Sequence, residues 1–136
     1  MLKIDFNQLI KLTSVNENIF KPNLTSQLSF ETAILGIKKN FKVLDLGCGC
    51  GIIGIALMKS IPNIEMYCSD FDTNSIKNTK KNFIQNKLKA DIREGSLFDP
   101  WLNRKFDYII NDVSGISSVI AKNSPWFGEK IPCDSG

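Results

Sequence analysis

The sequence predicts an α/β fold, a parallel sheet with helices on both faces, on three observations. From residue 25 onward, short apolar runs alternate with longer amphipathic segments, the pattern of strands joined by crossover helices. The stretch "VLDLGCGCGIIGIAL", Val43 to Leu57, sets four glycines within eight residues between a strand-like and a helix-like run. Further on, "KFDYIIND" runs straight through apolar residues after Asp107, as a strand buried on both faces does.

In order along the chain, residues 1–24 read as a lead-in and residues 25–136 as the domain proper. "LKIDFNQLIKLTS" (2–14) alternates apolar and polar residues around Asp5–Asn7 and suits a short hairpin or lid strand. Pro22 and Asn23 punctuate the chain. Thr25 or Ser26 then caps a helix running to about Lys38, with Leu28, Ala33, Ile34 and Ile37 on its apolar side and Gly36 weakening its end. "FKVLDL" (41–46) is a buried strand. "IIGIALMKSI" (52–61) is apolar enough for a buried helix and stops before Pro62. "IEMYCSD" (64–70) is a second strand. Thr73 to about Asn86 is a helix with Ile76, Phe83 and Ile84 inward and Lys77, Lys80, Lys81 and Lys87 outward. "ADIREG" (90–95) and "KFDYIIND" (105–112) complete four strands.

Composition narrows the function classes. A chain of 136 residues, 43% of them hydrophobic, is long enough to bury one core. A formal charge of +3 is too mild to demand nucleic acid or a membrane surface. No apolar run reaches the roughly 18 residues of a membrane helix, and Lys3 and Asp5 interrupt any signal-peptide pattern. A cytoplasmic location is expected. Cys48 and Cys50 form a C-x-C pair without a second pair, a poor zinc signal, and there is no histidine. No metal is expected, and the thiols serve as small apolar fillers. The lysines of 77–89 read as a solvated helix face, with a nucleic-acid surface as the alternative.

The glycines fall between a strand and a helix, at the carboxyl edge where open α/β sheets bind ligands. Bare backbone turns sharply and approaches a ligand closely, and the following helix offers unpaired N–H groups. A polar small molecule is therefore expected there. Gly49, Gly51 and Gly54 satisfy a literal G-x-G-x-x-G, so a nicotinamide cofactor is one candidate. Two features point elsewhere: Asp45 lies two residues before Gly47, and the glycines run G-x-G-x-G.

Together "VLDLGCGCG" resembles motif I of the class I S-adenosylmethionine-dependent methyltransferases. "IFKPNLTSQL" upstream looks like the lead-in of the small-domain group, which methylates protein glutamine, nucleic-acid bases and ribosomal components. The resemblance covers roughly residues 20–115 and implies a Rossmann-like sheet in the order 3-2-1-4 with S-adenosylmethionine as cofactor. It implies that Asp45, Gly47, Cys48, Gly49 and Gly51 line the cofactor, with Thr25 facing its methionine end. Asp70, in "YCSDFD", would accept from both ribose hydroxyls, and Phe71 follows it. The family's "GD" pair beside the adenine is Gly95–Ser96 here, followed by Leu97. By the residues alone, Asp70 is also a possible turn carboxylate, while Asp72 is the nearer helix cap. Asp70 is accordingly expected to carry binding and little folding stability.

At the fourth strand the family has "NPPY"; this chain has "NDVS". The resemblance makes Asn111 the residue that orients the acceptor and counts it among those that bind the cofactor, while Asp112 is the one nearby proton acceptor. Asn111 as a plain turn residue stands beside that reading. Class I enzymes have seven strands; four leave the last as an apolar edge. Further strands of a longer chain, a second chain, or the tail "NSPWFGEKIPCDSG" are expected to cover it. The sequence thus supports methyl transfer to a protein, RNA or small-molecule acceptor, with a non-catalytic cofactor-binding module or scaffold as the alternative.

Overall fold

The computed structural model describes residues 24–112. The expected hairpin at 2–14, Val113, Ser114 and the tail lie outside the described residues. The described chain runs α1 (Leu24–Gly36), β1 (Lys42–Leu46), α2 (Ile52–Ser60), β2 (Glu65–Asp70), α3 (Thr73–Gln85), β3 (Asp91–Glu94), a 3-10 turn (Asp99–Trp101) and β4 (Tyr108–Asn111). The sheet is parallel, as the alternation of strands and helices predicts, and its order β3-β2-β1-β4 is the one the family resemblance implies. Asp45 pairs with Cys68 on one side and Ile110 on the other, and Leu46 with Ser69 and Asn111. All four strands therefore end together, at Leu46, Asp70, Glu94 and Asn111.

Alternation along the strands splits the core in two. Val43, Met66, Cys68 and Ile110 face a large cluster with Phe30 and Ala33 of α1, Ile53, Ile55 and Leu57 of α2, and Ile76 and Phe83 of α3. The three described helices thus share one face of the sheet. On the opposite face, Leu44, Leu46 and Tyr67 pack with Trp101, and Phe106 closes the group. Tyr67, Trp101 and Phe106 meet edge to face at centroid distances of 5.1–5.8 Å. The sequence did not announce this second cluster, because Trp101 sits in a three-residue turn with no periodicity to read.

Element ends and faces depart from expectation in places. α1 stops at Gly36, where a Cβ would meet the Tyr108 ring at 2.8 Å. Its buried positions are Ser26, Phe30 and Ala33, so the inward stripe runs i, i+4, i+7 and leaves Leu28 outside at 52% exposure. The same phase argument puts Ile84 of α3 in solvent at 75% exposure, because Ser75, Thr79, Asn82 and Phe83 occupy the inward stripe. β4 begins only at Tyr108, since Phe106 turns into the aromatic cluster. Asp107 pins the strand start, its N–H donating to Lys42 O at 2.8 Å and its carboxylate accepting from Lys42 N at 2.7 Å. Among the described strands β4 is an outer one, with Ile109 43% exposed.

Candidate functional site

The site is built where the strands end. After Leu46 the chain turns through Gly47 and Gly49, both with positive φ, and Gly51 caps α2 in the left-handed region at φ 79°. The N–H groups of Gly47 and Cys48 both donate to Ser69 O, at 2.8 and 2.9 Å. The loop is thereby tied to the end of β2.

The glycines are bare for different reasons. A Cβ on Gly51 would lie 2.8 Å from Thr79 Cγ2 and 3.0 Å from Phe83 Cε2, so α3 packs directly on this backbone. A Cβ on Gly49 would meet nothing within 4 Å. Gly49 therefore faces open space, the direction from which a ligand can approach its backbone.

Asp70 closes the next side. Its Oδ2 accepts the Gly49 N–H at 2.9 Å and its Oδ1 the Asp72 N–H at 3.0 Å. Each oxygen keeps a lone pair for an outside donor. Asp72 is the N-cap of α3, accepting from Ser75 N at 2.7 Å. The division of labour expected from sequence is thus only half of what is found: Asp72 caps, but Asp70 also holds two backbone N–H groups. Burial pushes the Asp70 carboxyl above its ordinary range, and these N–H bonds pull it back.

Asp45 lies beneath the loop, 1% exposed, and among the described residues neither carboxylate oxygen has a hydrogen-bond partner. Burial first, then Asp112 and Asp70, push its pKa from 3.8 up to about 7. The Gly54 N–H in the first turn of α2 acts the other way, although the contact falls short of hydrogen-bond geometry. Asp112, half-buried just after β4, is raised by burial as well. Three carboxylates from three strand ends thus share one region, which favours a cationic or hydroxyl-rich ligand and disfavours a pyrophosphate.

The last wall follows β3. Gly95 N donates to Asp70 O at 3.0 Å, and Ser96 and Leu97 continue the turn. Leu97 is exposed yet holds φ at 43°, a strained position for a bulky residue. Arg93 braces this turn from below. Its guanidinium pairs with both Asp91 oxygens at 2.9 and 2.7 Å, donates to Pro100 O at 2.9 Å and lies 4.6 Å from the Trp101 ring centre. Trp101 Nε1 donates to Ser69 Oγ at 2.9 Å.

The fold therefore gathers Asp45, Gly47, Gly49, Asp70, Ser96, Leu97, Asn111 and Asp112 at one edge of the sheet. Phe71 is exposed beside Asp70. Cys48 points inward, toward Thr79 at 3.7 Å, so only its main chain faces the loop's outer side. Thr25 is exposed on the first turn of α1. Sequence reasoning missed Thr79 and Asn82, which hold the loop from α3; two buried polar residues in an amphipathic helix were the available signal. Among the described residues no group of His, Cys, Asp and Glu forms a metal cluster, and no helix is long and apolar enough to cross a membrane.

Comparison with known proteins agrees with this geometry. The chain is 30% identical to the release factor glutamine methyltransferase of Flavobacterium psychrophilum over 104 residues, 72% of this chain and 36% of that protein. It is 34% identical to ribosomal RNA small subunit methyltransferase C of Haemophilus influenzae over 71 residues, 52% of this chain and 21% of the relative. The chain thus spans about a third or less of the curated relatives it matches. Among solved structures, the fold superposes on the Thermus thermophilus 16S rRNA N2 G1207 methyltransferase, solved in complex with AdoMet and guanosine. That match has a TM-score of 0.59 and 24% identity, over 65% of this chain and 25% of that one. A ribosomal protein L11 methylase from Lactobacillus delbrueckii gives a TM-score of 0.61 at 20% identity, over 83% of this chain and 59% of that one. The sequence model of the methyltransferase small domain matches residues 25–112, the stretch that carries every element described above, and the chain belongs to that family.

Proposed function

We propose that the chain binds S-adenosylmethionine at the carboxyl ends of β1, β2 and β3 and catalyses methyl transfer to an acceptor held at Asn111 and Asp112. The observation that carries this reading is the glycine loop set over Asp45, a buried carboxylate with both oxygens unpartnered. A site ringed by Asp45, Asp70 and Asp112 repels a nicotinamide cofactor's pyrophosphate and suits the positive charges of a sulfonium amino acid. The residues fit the cofactor in three further respects. Gly49 leaves room for close approach, Asp70 has lone pairs for two ribose hydroxyls, and Ser96, Leu97 and Phe71 border the place left for a base. Residues 25–136 form the cofactor-binding domain in this reading, with 1–24 as its lead-in and Thr25 toward the methionine end.

When bound, the cofactor supplies an activated methyl group on sulfur. The chain's own work is to hold the acceptor in line. Asn111 ends β4 beside Leu46 and its side-chain oxygen accepts from an acceptor amine or amide. Asp112, whose pKa burial raises, takes the proton that the acceptor releases. Relatives named for ribosomal RNA and a release factor make RNA and protein the first acceptors to test, and agree with a cytoplasmic location.

A second reading is a cofactor-binding module without turnover. It is favoured by one observation, the "NDVS" sequence where the family carries two prolines and an aromatic ring. Calorimetry with S-adenosylmethionine, S-adenosylhomocysteine and NAD tests the cofactor. Heat with NAD alone rejects both readings. Labelling of a cell extract with radioactive cofactor then separates enzyme from module and assigns the acceptor.

A further inference from the structure

Thr79 and Asn82 interrupt the apolar stripe of α3, and both are 0% exposed. Three residues apart, they share one face of the helix. Burying such groups is unfavourable unless they are bonded, and both reach out of the helix to the glycine loop. Thr79 Oγ1 donates to Gly49 O at 2.7 Å, and Asn82 Nδ2 donates to Cys50 O at 2.8 Å.

The direction of these bonds fixes more than the distances do. A threonine hydroxyl has one hydrogen, and here it goes to Gly49. The Cys48 thiol, 3.7 Å from Thr79 Oγ1, must then be the donor of that contact. A buried chain results, from Cys48 to Thr79 to the Gly49 carbonyl. On its other side, Gly49 gives its N–H to Asp70 Oδ2 at 2.9 Å. Gly49 has φ +54° and no steric neighbour at its missing Cβ. Nothing in its own shape resists rotation of its peptide groups; these two hydrogen bonds do.

We propose that Thr79 is a positioning residue for cofactor binding. By gripping the Gly49 carbonyl it keeps the Gly49 N–H on Asp70, and so keeps the Asp70 carboxylate turned for the ribose. Asn82 restrains the next carbonyl in the same way. The proposal rests on the cofactor reading given above.

Thr79→Val keeps the shape of the side chain and removes the hydroxyl; Thr79→Ser restores the hydroxyl. Two readouts are needed: amide hydrogen exchange of residues 47–52 in the ligand-free protein, and calorimetric affinity for S-adenosylhomocysteine. Thr79→Val is expected to speed exchange in the loop and weaken binding about tenfold, the equivalent of one buried hydrogen bond. Thr79→Ser is expected to return both close to wild type. If Thr79→Val only lowers the melting temperature, with loop exchange and affinity unchanged, Thr79 is structural and the proposal is overturned. If the variant loosens the loop but even the wild-type protein binds no S-adenosyl compound, the cofactor reading fails and the positioning role falls with it.

Discussion

The Asp70 carboxylate accepts the Gly49 N–H at 2.9 Å, so the end of β2 and the glycine loop after β1 form one hydrogen-bonded unit. A residue expected to serve a ligand alone also organises the loop that approaches that ligand.

Asp70→Ala is therefore expected to act twice. Cofactor affinity falls by about 1.5–3 kcal/mol through lost bonds to a charged acceptor. Ligand-free stability also falls, by about 1–3 kcal/mol, because the Gly49 and Asp72 N–H groups lose their partner. Calorimetry and thermal melts of the free protein measure the two separately; an unchanged melting temperature contradicts the second.

Gly49→Ala and Gly51→Ala are expected to fail differently. At Gly51 an added Cβ meets Thr79 and Phe83 at φ +79°, so stability falls by about 1–3 kcal/mol. At Gly49 the Cβ meets nothing, so the backbone conformation alone costs about 1–2 kcal/mol. That Cβ occupies the ligand's approach, and affinity falls about tenfold or more, 1.4 kcal/mol. Equal affinity in wild type and Gly49→Ala would place the ligand elsewhere.

Asp45 makes a signed pH prediction. Its pKa is about 7 in the fold against 3.8 ordinarily, so between those values the unfolded chain has released a proton that the native protein retains. This group therefore lowers stability as pH rises from about 4 to about 7, at up to about 1.4 kcal/mol per pH unit, with no further change above. The groups that act on it are Asp112 and Asp70, with Cys50 and Cys68 also within its field. A cationic ligand favours the ionised form, so affinity for S-adenosylmethionine rises with pH toward about 7 and binding releases a proton. Calorimetry in buffers of different ionisation enthalpy reads that proton directly; Asp45→Asn is expected to abolish its release. Buffer-independent heat in the wild type refutes the linkage.

Asn111→Ala is expected to leave cofactor affinity nearly intact and to lower turnover, since the residue orients the acceptor. Asp112→Asn tests for a proton acceptor: a reaction that tolerates it has no need of that carboxylate. Labelling that survives Asn111→Ala unchanged reduces "NDVS" to a turn.

The sequence by itself determined the run of strands and helices, the position of the glycine loop and the motif that marks the family, because each is written locally; the strand order came with the family resemblance. Apolar runs of strand length, glycines at a strand end and Asp45 two residues before Gly47 need no distant partner to be read. Tertiary structure alone decided what each residue does there. Gly49 and Gly51 are indistinguishable as letters, yet one faces open space and the other lies under Thr79. Asp45 is an ordinary carboxylate until Asp70 and Asp112 arrive from other strands and burial removes its water. The aromatic cluster of Tyr67, Trp101 and Phe106 depends on residues up to 39 positions apart. Thr79 and Asn82 hold carbonyls some 30 residues earlier in the chain. Such long-range pairings leave no periodicity in the sequence, because they are set by how helices seat on the sheet.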